Sequence, residues 1–121
     1  MNTTLFVQAL VLTLLIEIPI YTLLLRYFAN VSVWQALVAA ILVNLISYPL
    51  FVALLVPFGS QYLAPVPAVL VGEAIVCIVE AALLSAWLRR DSLVVIAVVL
   101  VANGCSMVAG LGYFALVAHW W

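Results

Sequence analysis

The chain has 121 residues, of which 71% are hydrophobic and only 6% charged, with three arginines, no lysine and a net charge of −1. So few charges cannot cover the surface of a soluble domain, and with no basic patch nothing points to nucleic acid. The composition predicts an integral membrane protein.

A helix needs roughly 20 apolar residues to cross a hydrocarbon core about 30 Å thick. Four stretches qualify: Leu5–Leu25, Val33–Val56, Pro67–Leu88 and Ser92–Ala118. They predict an all-α bundle of four transmembrane helices, a single transmembrane domain over residues 1–121, with almost no chain left for a soluble unit. The first stretch lacks a basic leader and carries Glu17, so it reads as a span rather than a cleaved signal.

Each span carries polar groups. The first holds Glu17, Pro19 and Tyr21 and is followed by Arg26; the second holds Asn44, Ser47, Tyr48 and Pro49. The third holds Glu73, Cys77 and Glu80 and runs into Arg89 and Arg90; the fourth holds Asn103, Cys105 and Ser106. All three arginines lie in the loops after the first and third spans, which the positive-inside rule sets in the cytoplasm. Both termini are then extracytoplasmic, and a prokaryotic inner membrane is the expected location. The arginines are also suited to anionic lipid headgroups.

Segment ends carry ordinary signals. Ser32, Asp91 and Ser92 are suited to cap the second and fourth helices by accepting free amide hydrogens. Pro57, Gly59, Pro65 and Pro67 break the chain between the second and third spans. Tyr113, Phe114, Trp120 and Trp121 suit an aromatic interface belt, with His119 as an interfacial anchor. Ala102, Ser106 and Gly110, like Cys77, Ala81 and Ser85, form small-residue stripes that permit close helix approach. Both cysteines read as free thiols within spans, where a disulfide staple is not expected.

A weak internal repeat runs through the chain. Superposing Glu17 on Glu80 also superposes Leu25 on Leu88 and Arg26 on Arg89, and Asn44 on Asn103 brings Ser47 onto Ser106. Each half then reads Glu, Arg nine residues later, and Asn-x-x-Ser in the returning helix. Such halves would be parallel-repeat hairpins related by an axis along the membrane normal. The helix rise puts Glu17 and Glu80 about 12 Å, and Asn44 and Asn103 about 16 Å, above the cytoplasmic ends of their spans. All four therefore fall in one layer near mid-membrane.

An ionisable side chain at that depth costs about 2.5–3.5 kcal/mol on insertion scales, so it needs a partner or a purpose. Glu73 and Glu80 are two turns apart on one face, about 10 Å along the axis, and Leu10 takes the place of Glu73 in the first half. A carboxyl poised between proton-bound and cation-bound states is what coupled transport needs. The structural alternative is a hydrogen-bonded core that only holds helices together. Asn44 with Ser47, and Asn103 with Ser106, share helix faces at i, i+3 spacing and add amide and hydroxyl oxygens. That is a hard-ligand set suited to H⁺, Na⁺, Mg²⁺ or Mn²⁺. Pro19 and Pro49 free carbonyls near Glu17 and Asn44, a feature of broken transporter helices, although simple kinks are commoner. Tyr21, one turn from Glu17, and Tyr48, beside Ser47, each offer a hydroxyl to complete a network.

Cys-x-x-Cys, HExxH and Gly-rich phosphate loops are missing from the sequence. The leading expectation is proton- or cation-linked transport of a small solute or ion, with Glu17 and Glu80 as exchanging carboxylates and Glu73 as an outward step. A second is an accessory or assembly subunit of a larger membrane complex, whose polar layer serves assembly or a bound lipid, pigment or quinone; standing alone, the chain is expected to form a small homo-oligomer. A third is a membrane-embedded metal-dependent enzyme.

Glu17 with a following basic residue resembles the first helix of small multidrug resistance transporters, although Glu73 and Glu80 are not part of that pattern. Leu42–Ser47 is superficially similar to the asparagine helix of small fluoride channels, whose Phe- and Thr-rich third-helix motif is missing here. A likeness over most of the chain is to a group of small prokaryotic four-helix membrane proteins of unknown function. It is carried by Glu17-Ile18-Pro19, Asn44-Leu45-Ile46-Ser47-Tyr48-Pro49, Glu73 with Glu80, and Asn103-Gly104-Cys105-Ser106. Tyr48 stands where that pattern leads one to expect histidine, which removes a metal ligand. The resemblance implies the fold and the polar layer and no activity.

Overall fold

A computed structural model describes residues 3–54 and 65–119. They form four helices: α1 (Thr3–Phe28), α2 (Val33–Leu54), α3 (Pro65–Leu88) and α4 (Ser92–His119). Their 26, 22, 24 and 28 residues each exceed the length needed to cross a bilayer. The protein is thus an all-α bundle of four helices, each long and apolar enough to span a membrane.

The boundaries differ slightly from the sequence expectation. Helix α1 continues three residues beyond Leu25 to Phe28, so Arg26 lies in its last turn. Helix α3 starts at Pro65, two residues before Pro67, because proline is tolerated in the first turn, where its missing N–H has no intrahelical partner to lose. Val56, Pro57, Gly59, Trp120 and Trp121 lie outside the described residues, as do the side chains of Phe114 and His119.

The helices form a ring. Helix α1 packs against α2 and α4, and α3 packs against the same two, so α1 and α3 face each other across a diagonal. Where they meet the axis the packing residues are small: Ala36, Ala39 and Ala40 of α2 and Ala102 of α4 are buried. Without a hydrophobic drive between helices in lipid, such residues gain close backbone approach. Tyr21 and Leu25 of α1, Leu84 of α3, and Val95, Val98 and Val99 of α4 fill the remaining core.

Most of the outer surface is aliphatic. Leu15, Leu23, Ile78, Leu93, Leu100, Val108 and Leu116 are exposed, and at most 33% of the residues in any spanning window are buried within the bundle. A bundle so apolar outside requires a lipid environment. Pro19 and Pro49 sit on this exposed side, as do Leu15 and Leu45, whose carbonyls they leave without an amide donor. Both helices run through their prolines unbroken, in keeping with the commoner reading of these prolines and not with a broken helix.

The two short connections lie at one end and are tied together. Asn30 and Arg89 adopt positive φ (54° and 51°), the left-handed conformation that stops a helix. At the second stop the Arg89 N–H donates to Ser85 O at 3.1 Å, the single bond of an αL cap. Arg90 reaches across to the other connection, its Nε donating to Ala29 O at 3.0 Å. Ser32 accepts the Gln35 N–H at 3.2 Å and caps α2; at α4 the cap is Asp91, whose Oδ1 accepts the Leu93 N–H at 3.0 Å. Exposed Tyr27, Phe28, Trp34 and Trp87 surround this end, an aromatic collar beyond the residues singled out from sequence. Tyr113 donates to Gln8 Oε1 at 3.0 Å, joining α4 to α1 towards the opposite end.

Candidate functional site

The polar layer forms at mid-bundle. Glu17, Asn44, Ser47, Glu80, Asn103 and Ser106 are all buried, each at most 8% exposed. In a chain whose faces are nearly all apolar, the polar side chains set helix rotation, since leaving one in lipid without a partner costs several kcal/mol. The i, i+3 pairs Asn44/Ser47 and Asn103/Ser106 turn inward together, as their spacing predicts.

Glu80 receives a donor from every other helix. The Tyr21 hydroxyl of α1 donates to its Oε1, as does Asn103 Nδ2 of α4 at 2.7 Å. Ser47 Oγ of α2 donates to its Oε2 at 2.5 Å. Asn103 Nδ2 also lies 3.1 Å from the Tyr21 oxygen and 3.0 Å from Val99 O, which fixes the amide. Both Glu80 oxygens are therefore occupied by hydrogens from the protein.

Glu17 is treated differently. Ser106 Oγ donates to its Oε1 at 2.5 Å, while its Oε2 is buried with no hydrogen-bond partner. Ser106 Oγ also lies 3.1 Å from Asn103 O, so its single hydrogen is shared between two acceptors. Glu73, half-buried one layer further from the short loops, also has a buried unpartnered Oε2. Glu17, Glu73 and Glu80 line one cavity, which makes the three carboxyls neighbours.

These groups wall a small cavity. About 40 Å³ in volume, it is lined by Thr13, Glu17, Asn44, Ser47, Tyr48, Phe51, Glu73, Val76, Glu80 and Asn103. A water-sized body needs roughly 10–15 Å³ by this measure, so two or three fit. The Phe51 ring lies on Gly72 beside Glu73: a methyl placed on Gly72 would stand 2.5 Å from it. Tyr48 stacks against Phe51 at a 6.4 Å centroid separation.

Tyr21 enters the network, and its partner is Glu80 on the diagonal helix rather than Glu17 one turn away. Asn44 donates to Ala40 O at 2.9 Å and lines the cavity. Pro19 and Pro49 are not brought to the site. Thr13, Phe51 and Val76 were not singled out from sequence; as ordinary helix residues they become visible only once rotation is known. A methyl on Gly110 would meet nothing within 4 Å among the described residues, so no close helix contact is seen there. Among the described residues, no three His, Cys, Asp or Glu side chains are grouped to hold a metal, and Cys77 and Cys105 are free thiols.

Comparison with family models, with curated proteins and with solved structures finds no match to this chain. That outcome agrees with the resemblance to a group of unknown function. The functional reading therefore rests on the site itself.

Proposed function

We propose that this protein is a single transmembrane unit, residues 1–121, that binds protons or small cations in its carboxylate layer and couples them to passage of a small solute or ion. One observation carries the reading: Glu17 and Glu73 each keep a buried carboxyl oxygen unpartnered beside the same cavity. Left unmet, each such oxygen costs about 1–3 kcal/mol, and both face a cavity that admits a body able to satisfy them. A proton or cation removes that cost on arrival and restores it on departure, and this is the cycle coupled transport requires.

Two further features support the same reading. Ser47 of the first hairpin serves Glu80 of the second, and Ser106 of the second serves Glu17 of the first. This reciprocal exchange supports two parallel copies of one hairpin, an arrangement suited to a central site that opens alternately to either side. The arginines at one end support a cytoplasmic location for both short loops, with both termini extracytoplasmic in a prokaryotic inner membrane. Assembly as a small homo-oligomer belongs to the reading; a much heavier particle in mild detergent, with other polypeptides in fixed ratio, would favour the competing one, a subunit of a larger membrane complex.

The test is flux in proteoliposomes carrying an imposed proton or sodium gradient. Glu17→Gln abolishes gradient-dependent flux while the protein still elutes as the native species. Wild-type protein that dissipates neither gradient, or Glu17→Gln that dissipates both normally, refutes the reading.

A further inference from the structure

The cavity, the orphan oxygens and the saturation of Glu80 divide the labour among three carboxyls that look alike in the sequence. Glu80 accepts from Tyr21, Ser47 and Asn103, three donors on three helices, so no vacant lone pair directed at the cavity is needed to satisfy it. Glu17 is 2% exposed, yet its Oε2 has no partner, and Glu73 Oε2 is in the same condition. Both residues line the cavity with Thr13, Asn44 and Tyr48, which bring neutral oxygen-bearing groups to its wall.

We propose that Glu17 and Glu73 form the binding site for one sodium ion, and that Glu80 is a positioning residue that does not exchange its partners. This deepens the cation-passage reading and rests on it for the location of the site. Sodium fits the chemistry: the available atoms are hard oxygens, two of them carboxylate. It fits the space, because a 40 Å³ cavity takes the ion with one or two waters. Magnesium retains several waters in an octahedral shell, and calcium takes roughly 6–8 oxygens, more than two monodentate carboxyls and a few neutral groups supply. The described residues contain no grouped set of three acidic, histidine or cysteine ligands that would favour a divalent ion. When sodium leaves, two protons neutralise the two carboxylates, so the exchange is one sodium for two protons and the ion and the protons compete.

The experiment uses the full chain in lipid nanodiscs and a hydrophobic carbodiimide, which adds to protonated carboxyls in apolar surroundings. Adducts are located by mass spectrometry after reaction in sodium, potassium, magnesium or choline chloride at equal ionic strength. Glu17 and Glu73 are labelled in choline and Glu80 is not. Sodium at about ten times its dissociation constant slows that labelling about tenfold, by simple occupancy. Labelling of Glu80 as fast as Glu17 overturns the division of roles. Labelling indifferent to sodium, or blocked by magnesium alone, overturns the sodium assignment. The two readings fail separately: sodium protection without flux leaves the site and removes the passage, whereas proton-driven flux without protection leaves the passage and removes the sodium site.

Discussion

The hydroxyl of Tyr21 and the carboxyl of Glu80 meet at the centre of the bundle, joining the diagonal helices α1 and α3. Helices that share little side-by-side packing are thus linked through their longest inward polar side chains. Tyr21→Phe removes this bond and leaves Glu80 the Asn103 amide and the Ser47 hydroxyl. The expected loss is about 0.6–1.7 kcal/mol, the range for interhelical bonds in membranes. Glu80→Ala strands three donors at once and costs more than about 3 kcal/mol. Unfolding in mixed micelles titrated with SDS separates the two variants; equal losses would mean that the network does not converge on Glu80.

The two serines occupy corresponding places in the hairpins but not corresponding energies. Ser106→Ala removes the donor to Glu17 Oε1 and is expected to cost about 1–3 kcal/mol. Ser47→Ala strands Glu80 Oε2 but leaves Oε1 bonded to Tyr21 and Asn103, so its cost falls at the low end of the same range, about 1 kcal/mol. The same SDS titration checks the order, and the reverse order would contradict the bonding described for Glu17.

Gly72 and Phe51 make a steric pair. A methyl at Gly72 stands 2.5 Å from the Phe51 ring, so Gly72→Ala forces the ring away and costs about 1–3 kcal/mol. Gly104→Ala meets nothing within 4 Å and stabilises by about 0.5–1 kcal/mol through helix propensity. Adding Phe51→Leu to Gly72→Ala recovers part of the loss, with a coupling energy of about 0.5–3 kcal/mol in a double-mutant cycle. Additive behaviour would mean that the ring does not rest on Gly72.

Orientation has a direct assay. Alkaline phosphatase fused after Trp121 is active outside the cytoplasm, so bacterial cells expressing that fusion are expected to show enzyme activity. A fluorescent-protein fusion at the same point stays dark when exported unfolded. Fusions placed between Asn30 and Ser32 give the opposite pair of results. A bright C-terminal fusion would reverse the arginine-based topology.

Much of the layer is legible before any coordinates, because hydrocarbon leaves Glu17, Glu80, Asn44, Asn103, Ser47 and Ser106 no alternative to one another. Their depths follow from helix rise alone. The prolines mislead for a geometric reason: Pro19 follows Glu17 by two positions, about 200° round the helix, so inward Glu17 sends Pro19 to lipid. What stays hidden is who bonds whom. Tyr21 and Tyr48 look equivalent along the chain, and only the relative rotation of α1 and α3 makes Tyr21 a partner of Glu80. The same rotation gives Glu80 three donors and Glu17 one, an inequality that the repeat in the sequence conceals.

That inequality has a consequence for biogenesis. Glu80 enters the membrane after Tyr21 and Ser47, so two of its three donors are already waiting when α3 is made. Of the four helices the one carrying Glu17 is made first, and its donor Ser106 is on the one made after the other three. Of these two carboxyls the earlier made is therefore the later satisfied, and a chain halted between α3 and α4 still lacks the hydroxyl from which Glu17 accepts.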